Sequence, residues 1–274
     1  MDRLPADVAA LLAAIQTGLR ATLGNNLVGL YVFGSLTTGW FDEHVSDVDL
    51  IAALATDPNP DEFARLDRLH AEIVHDHPQW DNRIEIAYIP VASLRRIRAA
   101  DPIAIISPGE PFHVREAGGN WLFNLANVRE NGITLFGPPP QTLIDPISRA
   151  DLLAHLPLFM REWREWIAET DLIHHRSYQG YTIITMCRCL YLHHHGKIAA
   201  KKQATTWAGQ AFPDWSPLIR SALRWRESSD DPTIDHDATL PETLRFVAFV
   251  IDTILDAESG SMAPPFPMTG SGGP

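Results

Sequence analysis

The chain has 274 residues, 22 Lys and Arg against 34 Asp and Glu, and a formal net charge of −12. That length suits one large or two modest domains with real buried cores, and 45% hydrophobic with 20% charged residues excludes a globally disordered chain. Two cysteines cannot frame a disulfide scaffold, no apolar run is long enough for a membrane-spanning helix, and the acidic balance argues against a broad nucleic-acid footprint.

The opening Met1-Asp2-Arg3-Leu4-Pro5 has no basic segment leading into an apolar core, so no secretory signal is expected and a cytoplasmic location is. Pro5 to Leu23 reads as an amphipathic helix, with Val8, Leu11, Leu12, Ile15, Leu19 and Leu23 at helical spacing and a stop at Gly24-Asn25. Leu27 to Phe33 reads as a buried strand broken by Gly34-Ser35. Asp47 to Leu54 is a second apolar strand interrupted only by Asp47 and Asp49. Pro60 to His77 is predicted helical, Arg83 to Ile89 a third strand, and Val91 to Arg98 a short helix. Asp101 to Gly119, rich in Pro and Gly, is predicted to wind over the surface. Trp121 to Glu130 reads as a helix and Ile133 to Phe136 as a short strand stopped by Gly137-Pro138-Pro139-Pro140.

That proline run, followed by Asp145-Pro146, is the expected domain boundary. Beyond it helices are predicted over Ser148 to Thr170, Tyr178 to His195, from near Lys201, Ser216 to Arg226 and Pro241 to Ala257. The expected fold class is therefore an α/β (α+β) domain with a mixed sheet over residues 1–147 and an all-α helical-bundle domain over 148–258. Residues 259–274, without pattern, are expected to form a flexible tail.

The chemistry concentrates in Phe33-Gly34-Ser35, an eleven-residue spacer, and Asp47-Val48-Asp49-Leu50. Side chains alternate along a strand, so Asp47 and Asp49 share a face. Two carboxylates inside an apolar strand repel and call for a cation. Paired hard oxygens suit Mg²⁺, which substrate phosphates commonly complete. Gly34 allows a tight turn with close backbone approach, and Ser35 offers a hydroxyl and an N–H to a phosphate oxygen. In the third strand Arg83, Glu85 and Ala87 face one way and Ile84, Ile86 and Tyr88 the other. If that strand lies beside the Asp-x-Asp strand, Glu85 joins the pair, either to complete a metal shell or to take a proton from an acceptor hydroxyl.

Phe33-Gly34-Ser35 with Ser46-Asp47-Val48-Asp49-Leu50 resembles the signature of polymerase-β-type nucleotidyltransferases. Thr185-Met186-Cys187-Arg188-Cys189-Leu190-Tyr191, Gly196-Lys197-Ile198, Lys201 and Ala204 to Trp207 are similar to the helical domain of aminoglycoside adenylyltransferases of the spectinomycin/streptomycin 3″/9 type. Leu135-Phe136-Gly137-Pro138 and Leu143-Ile144-Asp145-Pro146 resemble that family's domain junction, so the likeness covers about residues 25–226. It implies Mg²⁺-dependent transfer of AMP from ATP, bound between the two domains, to a hydroxyl of an aminoglycoside-like small molecule, with release of pyrophosphate and antibiotic resistance as the family's role.

The same likeness implies the residue roles. Asp47, Asp49 and Glu85 would hold the metal, two Mg²⁺ ions being expected, with Glu85 also at the position of the catalytic base. Gly34 and Ser35 would meet the triphosphate and Ser46 the nucleotide. Arg188 and Lys201 fall at phosphate-binding positions, and Lys197 in a Gly-Lys turn. Physics agrees, since a departing pyrophosphate needs cations and Lys201 would open a helix. Of the 22 cations 19 are Arg, and the three Lys, Lys197, Lys201 and Lys202, lie within six residues.

The family leads into this helix with an acidic segment that grips the drug. Here the segment is His174 to Tyr181, without an acid, so Glu162, Glu165, Glu169 or Asp171 would have to take its place. Tyr178, Tyr181 and Trp121, the last in a loop-like context after Gly118-Gly119, are candidates to contact substrate. His193-His194-His195 point in different directions along a helix and suit its C-terminal end better than one metal ion. Cys187 and Cys189 are expected to be buried apolar residues. A monomer is expected, with no membrane or nucleic-acid partner. A protein or RNA acceptor for the same chemistry, or a non-catalytic nucleotide sensor, is the alternative reading.

Overall fold

The computed structural model describes residues 4–38, 41–43, 46–225 and 235–258. The predicted tail over 259–274 lies outside the described residues. The chain divides into two compact units, residues 1–148 and 149–274.

In the first unit α1 (Ala6–Leu23) buries Val8, Leu11, Leu12, Ile15, Leu19 and Leu23, the apolar stripe of its sequence. It leads through Gly24, at φ 52°, into β1 (Leu27–Phe33). Then come α2 (Ser35–Thr38), β2 (Val48–Leu54), α3 (Pro60–Asp76), β3 (Ile84–Pro90) and α4 (Val91–Arg95). α3 starts on a capping box: Asn59 accepts from the Glu62 N–H at 3.0 Å, Glu62 accepts from the Asn59 N–H at 3.0 Å, and Pro60 takes the first helical position. The unit closes with β4 (Pro102–Ser107), β5 (Glu110–Glu116), α5 (Asn120–Asn131) and β6 (Ile133–Phe136).

The six strands lie in the order β5-β4-β3-β2-β1-β6. β2 and β3 are parallel, joined by the crossover helix α3, and all other neighbouring pairs are antiparallel, so the sheet is mixed. Both faces are covered. On one, Leu30, Val32, Val48, Leu50, Ile84, Ile86 and Tyr88 pack with the stripe of α1 and with Leu66 and Ile73 of α3. On the other, Tyr31, Phe33, Ile51, Ala53, Ala87 and Ile89 pack with Leu94 of α4 and Trp121, Leu125 and Val128 of α5. Coverage on both sides explains why β2 reads as a continuous apolar run.

One expectation is corrected. Residues 101–119 do not wind over the surface: most of them form the β4–β5 hairpin. Pro102 opens a strand, where a missing N–H costs nothing, and Gly109 turns at φ 81°. β4 serves both cores, with Ala104 on one face and Ile103 and Ile105 on the other.

The second unit is helical: α6 (Arg149–Glu169), α7 (Arg176–His195), α8 (Lys201–Ala211), α9 (Ser216–Trp225) and α10 (Leu240–Glu258). α7 ends at Gly196 in the left-handed conformation (φ 63°), whose N–H bonds Leu192 O at 2.7 Å. Its Cys187 and Cys189 are buried and free, and burial raises both thiols, Cys189 to about 12, so neither is a reactive thiolate. Gln179 is wholly buried and fully used: its carbonyl accepts from Thr239 Oγ1 (2.7 Å) and Thr243 Oγ1 (3.2 Å), and its amide donates to His236 O at 2.8 Å. These bonds join α7 to α10. Among the described residues no helix is long and apolar enough to cross a membrane.

Candidate active site

Three strand ends meet at one edge of the first unit. In the antiparallel β1–β2 ladder Phe33 stands opposite Asp49. In the parallel β2–β3 ladder Asp49 stands opposite Glu85. Directly opposed residues on neighbouring strands point to the same side, here the side of Ile51, Ala53, Ala87 and Ile89. The alternation expected for β3 therefore holds, with Glu85 on the face opposite Ile84 and Ile86. Asp47, Asp49 and Glu85 are each partly exposed, at the end where the buried rungs stop.

Gly34 closes this corner. It turns the chain out of β1 at φ 74°, and a Cβ on it would run into Oδ2 of Asp49. The bare Cα is what lets the backbone lie against the carboxylate. Gly34 O then accepts from Thr37 Oγ1 at 3.1 Å and Thr38 Oγ1 at 3.2 Å, which fixes the one-turn helix that Ser35 begins. Gly34→Ala is expected to lower stability by at least ~1–2 kcal/mol, the usual cost of a left-handed non-glycine residue, and to displace Asp49. Urea denaturation measures the first effect.

The loop before Asp47 is braced from β3. Arg83 Nη2 donates to Glu43 O at 2.8 Å and Ser46 O at 2.7 Å, and Val48 N–H donates to Arg83 O at 2.9 Å. Arg83 had been expected to share the face of Glu85. It precedes β3 instead, and its guanidinium lies over the Trp80 ring, 4.6 Å from the centroid. Ser46 is also corrected: it is buried, its Oγ accepts from Asp42 N–H at 3.0 Å, and its own N–H bonds Asp42 O. It holds the loop that presents Asp47 rather than standing open to a ligand. Sequence reasoning missed the bracing by Arg83, although an arginine just before an acid-bearing strand was a visible cue.

Among the described residues, no three His, Cys, Asp or Glu side chains are gathered into a group able to hold a metal ion. The three acids are thus brought to one sheet end without being closed into a three-ligand shell, and His193, His194 and His195 form none either. Like charges side by side spread apart. The pair still offers what a hard cation needs, partly exposed carboxylates on one rung of the sheet.

In the helical unit Arg188 is half-buried and its Nε donates to Ala199 O at 3.3 Å, two residues before Lys201. That bond holds the α7 guanidinium beside the start of α8. Lys201 opens α8 and is half-buried; Lys202 and Lys197 are exposed. Burial and the neighbouring His194 lower the basicity of both His193 and His195, the latter also through Lys197 and Arg149. Tyr178 is half-buried, and Tyr181 is 51% exposed with its ring 6.0 Å from that of Trp163. Trp121 is corrected: it sits in the first turn of α5, is 0% exposed and packs in the second core, so it cannot stack on a substrate from where it stands.

Comparison with known proteins bears on both units. Residues 142–252 match the family described as "Aminoglycoside adenylyltransferase, C-terminal domain". Proteins of Klebsiella pneumoniae and Shigella flexneri, each named "Aminoglycoside (3'') (9) adenylyltransferase", are 26% identical to the chain over 127 residues, 45% of this chain and 45% of theirs. The match therefore spans about half the length of these relatives. The crystal structure of spectinomycin adenyltransferase AAD(9) from Enterococcus faecialis, with ATP and spectinomycin, superposes with a TM-score of 0.68 at 18% identity, covering 88% of this chain and 99% of that one. The fold is shared.

Proposed function

We propose that this chain, whose C-terminal half matches the aminoglycoside adenylyltransferase C-terminal domain and whose fold is that of a spectinomycin adenyltransferase, transfers AMP from ATP to a hydroxyl of an aminoglycoside-like small molecule. One observation carries the reading: Asp49 and Glu85 share a rung at the sheet end, where the Gly34 turn packs directly against Asp49.

Asp47 and Asp49, with Glu85 beside them, would hold Mg²⁺. Bound there, Mg²⁺ supplies charge neutralisation to the triphosphate and to the departing pyrophosphate. The chain's own part is positioning and proton transfer. Gly34 and Ser35 receive phosphate oxygens on backbone and hydroxyl. Glu85 takes the proton of the acceptor hydroxyl, whose oxygen forms a bond to the α-phosphorus as the bond from that phosphorus to the bridging oxygen breaks and pyrophosphate leaves. Arg188, Lys201 and Lys197 serve the phosphates. Tyr178 and Tyr181 are assigned to the acceptor.

Incubation with ATP, Mg²⁺ and a panel including streptomycin and spectinomycin tests the reading. Acceptor-dependent pyrophosphate release, with an AMP adduct of the drug by mass, is expected. Release with none of the panel, or release without an adduct, overturns it.

Lys201→Ala is expected to weaken ATP binding by roughly 10- to 100-fold, the worth of a hydrogen bond to a charged group. Lys202→Ala, one residue on and exposed, is expected to change it by less than about twofold, since exposed charges contribute little. Calorimetry of ATP binding separates the two.

A further inference from the structure

The proposed adenylyl transfer makes no use of the histidines at the start of α7. His175 and His236 stack there, with ring centroids 4.4 Å apart and planes 27° from parallel. His236 belongs to the connection into α10, just before the single 3-10 turn Asp237–Thr239. It holds α7 at two points. Its ring Nδ1 accepts from the Arg176 N–H at 3.2 Å, and its carbonyl accepts from the Gln179 amide at 2.8 Å. Arg176 Nη2 in turn donates to Asp235 O. His175 caps the helix, with Nδ1 accepting from the Ser177 N–H at 3.4 Å.

These bonds fix the protonation of both rings. A backbone N–H only donates, so each Nδ1 must offer its lone pair, and the proton of the neutral ring sits on Nε2. A proton added at Nδ1 of His236 would turn that acceptor into a second donor facing the Arg176 N–H. At His175 it could still go to Ser177 Oγ, 2.6 Å away, so His236 is the sensitive member. Three features oppose a charge on it: the positive end of the α7 dipole, the guanidinium of Arg176, and the stacked ring once that too is charged.

The nearby acids spend oxygens elsewhere. Asp235 Oδ1 accepts from the Asp237 and Ala238 N–H groups at 3.1 Å each, and Asp237 Oδ1 lies 2.9 Å from His174 Nδ1. Protonation of His174 strengthens that pair and so works against opening. The elements packed around this corner also bring Asp171, Arg224 at the end of α9 and Glu242 in the first turn of α10.

We propose that His236, stacked on His175, is an acid-sensitive clasp: neutral, it closes residues 235–239 onto the first turn of α7; protonated at Nδ1, it releases them. Histidine ordinarily changes charge between pH 5 and 8, so the clasp is closed at the upper end of that range and opens toward the lower. Tyr178, the residue proposed to meet the acceptor, stands between the two anchored positions, Arg176 and Gln179. The clasp itself does not rest on that role.

The test follows amide exchange in the full ¹⁵N-labelled chain at pH 7.5 and pH 5.5, each rate corrected for its intrinsic pH dependence. Protection of the Arg176 amide is expected to fall about tenfold at pH 5.5, the worth of one hydrogen bond, while Ile183, buried in the middle of α7, keeps its own. His236→Asn, whose Oδ1 accepts but does not titrate, is expected to leave Arg176 equally protected at both pH values. His174→Asn is expected to leave the fall in place. Should His236→Asn fail to fold, the ring ¹⁵N shifts of His236 in the unaltered chain decide: an unprotonated Nδ1 at pH 7.5 that gains a proton as Arg176 protection falls supports the clasp. A protonated Nδ1 at pH 7.5, unchanged Arg176 protection, an equal fall at Ile183, the same fall in His236→Asn, or its disappearance in His174→Asn overturns it. None of these readouts depends on adenylyl transfer.

Discussion

Asp49→Asn is expected to abolish the proposed AMP transfer, with kcat/KM falling by ~10³-fold or more, the scale on which pre-organised electrostatic groups act at a reacting centre. Asn matches Asp in shape, so it still fits beneath Gly34, whose missing Cβ leaves room for that side chain and little else. What changes is charge. Asp49 faces Glu85 across one rung, and directly opposed like charges destabilise a sheet. Removing one should leave the metal-free protein at least as stable as before while activity disappears. Pyrophosphate release measures the first result and urea denaturation the second. Activity within tenfold of the unaltered chain would remove Asp49 from the mechanism. A matching loss of stability would recast it as a structural residue.

Glu85→Gln separates two roles that one carboxylate can hold. In its proposed role as the base that receives the acceptor proton, Glu85 would be worth ~10²–10⁴-fold in kcat, with little change in ATP affinity. Calorimetric ATP binding in Mg²⁺ should survive the substitution, and turnover should not. If binding and turnover fall together, Glu85 serves as a metal ligand and the proton leaves by another route. Its partly exposed position at the sheet end suits a group that must meet an incoming hydroxyl.

Much of the framework of the proposed site was legible because its strands are apolar runs punctuated by the residues to which chemistry is assigned. β1 ends at Phe33, just before Gly34-Ser35, and β2 begins after Asp47, both within a residue of where the apolar pattern stops. Pairing of β2 with β3 was conditional in the sequence. It became a fact through the α3 crossover, whose Asn59–Glu62 capping box and initial Pro60 are local signals. The β4–β5 hairpin was hidden because proline and glycine usually mark loops. Here Pro102 stands at a strand's first residue and Gly109 in its turn, while β5 is an edge strand with only Phe112 well buried. Trp121 was misread for the same reason: two glycines before it suggested a loop, yet the spacing of Trp121, Leu125 and Val128 is that of a buried helical stripe. Ser46 and Gln179 show a different limit. A polar residue that spends its hydrogen bonds on its own fold cannot be told by type from one that spends them on a ligand.

Behind the acidic rung lies another. Two residues along the same face, Ile51 stands opposite Ala87, and both are completely buried. The backbones carrying Asp49 and Glu85 are therefore held about 4.8 Å apart by the sheet, and their aim is set by volume in the layer beneath. A methyl at residue 87 leaves that layer no slack: a larger side chain there would wedge the rung without touching a charge, since close-packed interiors transmit strain. The calibration of the two acids thus resides in neighbours that carry no charge at all.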